Sequence, residues 1–279
     1  NRAGKAMSFA YGSDYVIGSY RETPRTDIKQ SDMVFVGHGI VAPEKGWNDY
    51  AGVDVKGKTV IVMVNDPDFE NDSLEGPFGG KAMTYYGRWT YKFAEAGRRG
   101  AIAALVIHED KAAGYGWNVA SSLPGENYSI VRGAGAPQAV PLQGWLHGDA
   151  AARLFASAGL NLDEQRVLAR SPDFKAFELE GLTFSTHLEA VIEPIESQNV
   201  LAISPGTKRP DETIMVSAHW DAYGIGEPDA EGRTVRPGAN DDALGMAGVL
   251  EDIALLAGVI EVKRTGWYHD ETPPSALPQ

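Results

Sequence analysis

Two apolar runs unbroken by any charge, Thr59-Val60-Ile61-Val62-Met63-Val64 and Ile102-Ala103-Ala104-Leu105-Val106-Ile107, constrain this chain more than any other feature. Each has the length of a strand and lacks the apolar–polar alternation of a half-exposed one, as expected of strands buried on both faces. Between them, Trp89, Phe93 and Ala96 recur at helical spacing within Arg88 to Arg99, and Gly97 and Gly100 lie near the end of that stretch. Strand, helix and strand in this order place the chain in the α/β class.

The remaining pattern extends this reading. Ser8 to Tyr11 and Tyr15 to Ile17 have the composition of short strands, followed by a polar linker from Arg21 to Gln30. Met33 to Val36 reads as a strand ending in a turn at Gly37. Residues 65–80 and 111–140 are rich in Gly, Pro and polar side chains and read as loops. A second helix is expected over Asp149–Ala158, stopped by Gly159. Phe184, Thr186, Leu188 and Ala190 alternate with polar neighbours, as in a half-exposed strand. After Val200 to Ile203 and the turn Pro205-Gly206-Thr207, Thr213 to Ala218 reads as a buried strand that delivers His219 at its end. Gly238 to Asp242 then leads into a helix with Met246, Val249, Leu250, Ile253 and Leu256 on its apolar face.

A length of 279 residues is enough for one large or two modest cores. The net charge of -13 argues against a nucleic-acid or anionic-membrane partner. No apolar run approaches the length of a membrane span. Cysteine is absent, so any metal must be held by His, Asp and Glu.

The chemistry concentrates in Ser217-Ala218-His219-Trp220-Asp221 and Gly238-Ala239-Asn240-Asp241-Asp242-Ala243. Residues two apart on an extended chain point the same way, so Asp221 can stand behind His219 and accept the proton of its second ring nitrogen. Asp241, just before a helix, could present its oxygens to one metal or bridge two. Asp242 and Asn240 are accessory candidates, and Asp242 could equally cap the helix. Gly238 and Gly245 would let backbone approach closely. Taken singly, a His-x-Asp is usually a surface hydrogen bond and Asp-Asp before a helix is usually a cap. Their pairing at a strand end and a helix start is harder to dismiss. Ser121-Ser122 and Ser217 lack a nucleophile elbow, and Gly37, Gly39, Gly79 and Gly80 form no phosphate loop. His38 and His108 follow strands and read as turn or edge hydrogen-bonding residues rather than ligands.

His219-Trp220-Asp221 and Gly238 to Gly245 resemble the first two metal motifs of the zinc aminopeptidase family that also contains the glutamate carboxypeptidases. Residues 31–175 resemble the protease-associated domain often inserted in these enzymes. The marks of that likeness are Val36 to Ile40, Asp49 to Lys58 and Ala94 to Ala101. The resemblance implies residues 1–30 and 176–279 as parts of an α/β peptidase-like sheet domain, with a β-rich α/β domain inserted at 31–175. It implies two zinc ions, with His219 binding one, Asp241 bridging both, and Asp221 as the catalytic-site residue that orients His219. It further implies an exported hydrolase, periplasmic or extracellular, that cleaves peptides or small peptide-like substrates with a metal-activated water.

The likeness fades after Leu256. The family's Glu-Glu pair and later Asp and His ligands have no matching positions in Gly266 to Pro274, although His269, Asp270 and Glu271 lie there. The family's usual small hydroxyl residue is Leu244 here. The chain reads as a family member shortened at both ends. Two functional readings follow: a zinc-dependent aminopeptidase-type hydrolase carrying part of its site, or a non-catalytic scaffold whose protease-associated domain mediates binding. Strand edges left open by shortening would favour self-association.

Overall fold

The computed structural model describes residues 6–121, 127–133, 135, 139–222, 224–226 and 228–256. The chain divides into two compact units, residues 1–196 and 197–279.

The first unit is built on one six-stranded sheet. Its strands are β1 (Tyr15–Gly18), β2 (Arg25–Phe35), β3 (Thr59–Met63), β4 (Ala103–His108), β5 (Leu142–His147) and β6 (Phe177–Glu189), in the spatial order β1-β5-β4-β3-β2-β6. Strands β2 to β5 run parallel to one another, and β1 and β6 close the two edges antiparallel. Every residue of β3 and β4 is buried, which is why their sequences show no alternation.

Alternate residues of the same strands feed two cores. On one face Phe35, Ile61, Leu105 and Leu142 pack against Ala150, Leu154 and Phe155 of helix α2 (Gly148–Ser157) and Leu162 of helix α3 (Leu162–Leu168). On the other, Val34, Val60, Val62, Ala104 and Val106 pack with Phe93 and Ala96 of helix α1 (Trp89–Arg98). Helices therefore cover both faces, as a parallel sheet centre requires.

The apolar runs and both expected helices fold within a residue or two of the spans the sequence suggests. Two strands were hidden in the pattern. The polar linker at 21–30 is largely strand β2, in which exposed Arg25 and Asp27 alternate with buried Thr26 and Ile28. In β5, Gln143 and Gly144 interrupt the apolar signal. Gly144 is required there, because a Cβ would stand 2.1 Å from the carbonyl oxygen of Val16 on the neighbouring β1.

The half-exposed strand expected near Phe184 runs over Phe177–Glu189 and pairs antiparallel with β2. Residues 15–18 and 177–189, expected outside the inserted domain, thus hydrogen-bond into the sheet of residues 31–175, and the contacts part at 196/197. The expected buried strand Thr213–Ala218 needs correction: it has no regular structure, and residues 213–217 are exposed. A strand exists only through a paired neighbour, and among the described residues none pairs with this run. Ser8 to Tyr11 likewise forms no strand, only a bridge from Tyr11 to Tyr15.

A lysine is fully buried in this unit. Lys92 of α1 points its Nζ at the ends of β2 and β3 and donates to the carbonyl oxygens of His38 at 2.6 Å and Asn65 at 2.8 Å. Burial lowers its pKa, and the carboxylates of Asp49 and Asp66 work in the opposite direction.

Phe35 is the central aromatic of its face, fully buried and edge-on to Phe155, Phe174 and Phe177. Phe35→Ala is expected to cost about 3–5 kcal/mol in urea unfolding. A loss below about 1 kcal/mol would show that this packing is not as described.

Candidate metal centre

In the second unit, residues 197–218 have no regular secondary structure beyond a turn closed by the Glu212 N–H to the Arg209 carbonyl oxygen. A short hairpin follows, β7 (Gly224–Ile225) with β8 (Val235–Arg236). A widened turn over Ala239–Ala243 then opens helix α4 (Leu244–Leu256).

The site is assembled by one carboxylate that spans sequence neighbours and strangers. Asp242 accepts from the backbone N–H of His219 through Oδ2 at 3.0 Å and from that of Gly245 through Oδ1 at 3.1 Å. It caps the first turn of α4 and at the same time ties His219 to the helix start. Two glycines make this approach available. A Cβ on Gly245 would fall 2.0 Å from Asp242 Oδ1, and one on Gly238 2.3 Å from the carbonyl oxygen of Asp241.

With its backbone held there, His219 places its ring between two further carboxylates. Nδ1 lies 3.0 Å from Asp221 Oδ1 and 3.2 Å from the Asp221 carbonyl oxygen. Nε2 lies 2.8 Å from Asp241 Oδ1, with Asp242 Oδ2 at 4.0 Å. Asn240 is exposed on the same turn. Partial removal from water opposes protonation of His219, and the hydrogen bonds to Asp241 and Asp221 outweigh it, so its pKa is raised. An open depression of about 530 Å³ lies beside Asp221 and Asp242, lined also by Trp220, Gly238, Met246 and Leu250. Trp220, 66% exposed, carried no signal in the sequence that would have marked it as part of this wall.

The donor chemistry suits zinc. An imidazole nitrogen and a carboxylate oxygen converge, and a zinc ion reaches such atoms at about 2.0–2.2 Å. The donor number falls short. Among the described residues no group of three or more His, Asp or Glu is placed to hold a metal, whereas a catalytic zinc ordinarily has three protein ligands. His269, Asp270 and Glu271 lie outside the described residues.

Residues 199–265 match the sequence model of peptidase family M28. Both halves of the site, His219 to Asp221 and Gly238 to Asp242, fall inside that segment. Its last nine positions, 257–265, lie outside the described residues. No curated protein sequence matches the chain. Among solved structures, an aminopeptidase from Aneurinibacillus sp. strain AM-1 aligns at 17% identity, with a TM-score of 0.25. That alignment covers 52% of this chain and 27% of the aminopeptidase, so the chain spans about a quarter of its relative's length.

Of the two other histidines singled out in the sequence, His38 makes the expected turn hydrogen bond and His108 is instead packed among aromatic rings. His38 is buried with Nδ1 3.2 Å from the Asn65 carbonyl oxygen, and burial pushes its pKa down to about 3. His108 is buried among the rings of Tyr115, Trp117 and Trp145.

In metal-free protein, His219 should keep its proton to a higher pH than an unperturbed imidazole, and Asp241→Asn should bring that titration down. Histidine ring resonances followed by NMR from pH 5 to 9 will show this; an unchanged His219 titration in the variant would remove Asp241 from the ring's partners.

Proposed function

We propose that the chain belongs to a zinc-dependent peptide hydrolase of aminopeptidase type, with its M28-like segment supplying the first donors of the metal site. The observation that carries this reading is the convergence of His219 Nε2 on Asp241 Oδ1 with Asp221 behind Nδ1. It is supported by the family match at 199–265. Residues 31–175 are taken, on the motifs at 36–40, 49–58 and 94–101, as a protease-associated-type domain.

In this reading His219 Nε2 and Asp241 Oδ1 hold the metal. The metal, when bound, supplies acidification of a water and polarisation of a peptide carbonyl. The chain's own contribution is orientation. Asp221 accepts a hydrogen bond from the Nδ1–H, which would leave the Nε2 lone pair for the metal and make the ring a stronger donor. Asp242 fixes the position of the His219 backbone against the start of α4. The depression beside Trp220 offers an apolar wall for a substrate side chain.

The alternative, a non-catalytic binding scaffold, draws on the two-donor count among the described residues. Zinc retention separates the two. Protein equilibrated with zinc and dialysed into metal-free buffer should retain the metal by elemental analysis, and His219→Ala should not. Asp221→Asn should weaken zinc binding by about 10–100-fold while leaving both donors in place. Zinc retained equally by wild type and His219→Ala, or by neither, would contradict the metallohydrolase reading. Zinc-dependent release of p-nitroaniline from an amino-acid p-nitroanilide, lost in His219→Ala, would complete it.

A further inference from the structure

The loop between β3 and α1 leaves the sheet at Asn65 and returns at Gly87, and its neck is closed by a few bonds. The Asn65 N–H donates to the Gly87 carbonyl at 3.1 Å. Asp66, with 0% of its surface exposed, accepts through Oδ2 from the Thr84 hydroxyl at 2.9 Å and from the Thr84 N–H at 3.4 Å. Two residues on, Asp68 accepts through Oδ2 from the Phe78 N–H at 3.0 Å, which anchors the far limb of the loop. Phe78 itself is fully buried against Trp47 and Tyr86.

Each of these two carboxylates has one oxygen left over. Asp66 Oδ1 and Asp68 Oδ1 are both buried and have no hydrogen-bond partner. The turn closed by the Phe69 N–H to the Asp66 carbonyl oxygen folds the two side chains together, and Asp68 stands within hydrogen-bonding reach of Asp66. Two ionised oxygens would repel at that range with no donor to separate them. One proton between them satisfies both.

We propose that Asp66 and Asp68 share a single proton, and that this proton acts as a pH-controlled latch on the neck of the 65–87 loop. The proton comes from solvent. With it in place the pair carries one negative charge and an O–H···O bond closes the neck; without it the pair carries two charges and the neck loosens. The groups facing Asp66 are Thr84 and Asp68 from the loop and Lys92 from α1. Lys92 favours the ionised form, but its ammonium is already committed to the carbonyls of His38 and Asn65 and also faces Asp49. His38, on the neighbouring turn, is kept neutral by burial.

Burial first, and then the charge of Asp68, push the Asp66 carboxyl up to about 6. A carboxyl whose pKa is raised on folding binds its proton more tightly in the folded chain. Its stabilising contribution is therefore complete below the ordinary carboxylate range and is lost as pH rises through about 6. The latch is closed in mildly acidic solution and open above neutrality.

Hydrogen exchange read by mass spectrometry over peptides spanning 65–87, corrected for the intrinsic pH dependence of exchange, tests this directly. Protection at the neck of the wild-type loop should rise about fourfold between pH 7.5 and pH 5.5. Asp68→Asn keeps an oxygen for the Phe78 N–H and supplies a permanent donor toward Asp66, so its neck should be protected at both pH values. Asp66→Asn offers the same donor from the other side and serves if the first variant fails to fold. A pH response equal in wild type and variants, or no response in wild type, would overturn the latch. So would calcium chloride at pH 7.5 restoring full protection to the wild type, since the pair would then hold a cation rather than a proton.

Discussion

Four parallel strands in the middle of a sheet must hide both faces from water, and the first unit follows from that requirement. The side chains of β3 and β4 alternate between two cores, so neither strand has a face to give to solvent. Helix α1 must then cover one side and α2 with α3 the other. The chain leaves the buried ends of β2 and β3 by tight turns, and their carbonyl oxygens need donors. Lys92 brings that donor from α1, which makes a buried charge part of the join between helix and sheet rather than a cost without return.

The second unit depends on a different economy of contacts. Among its described residues the side-chain hydrogen bonds are mostly exposed, and the geometry around His219 rests on Asp242. One oxygen of that carboxylate holds the His219 backbone and the other holds the first turn of α4. The imidazole is thereby set between Asp221 and Asp241 by the backbone, before any metal is considered. Ligand orientation by a hydrogen-bonded partner on the second ring nitrogen is the arrangement that metal-binding histidines commonly use.

Much of this was legible in the sequence because it is written in local pattern. The buried runs at 59–64 and 102–107, the helical spacing of Trp89, Phe93 and Ala96, and the pairing of His219 with Asp221 all depend on neighbours a few residues away. What was hidden depends on distant partners. Strand β5 is unreadable around Gly144 until β1 is laid against it, and β2 looks like a linker until β6 supplies its ladder. Thr213 to Ala218 shows the converse: a β-branched run with no strand to pair with among the described residues stays irregular, whatever its propensity. Asp242 was legible as a cap but not as the tether of His219, since nothing local reports a bond across twenty-three residues. The burial of one oxygen each of Asp66 and Asp68 was invisible for the same reason, because it depends on residues distant in the sequence that exclude solvent from them.

The central claim is that one imidazole, that of His219, belongs to the metal site formed by residues 219–242. X-ray absorption at the zinc K-edge on zinc-loaded protein measures this directly, since multiple scattering counts the imidazoles in the coordination sphere. The account predicts nitrogen and oxygen ligands only, with an imidazole contribution that disappears in His219→Ala. An imidazole contribution that persists unchanged in that variant would place the zinc elsewhere on the chain and contradict the account.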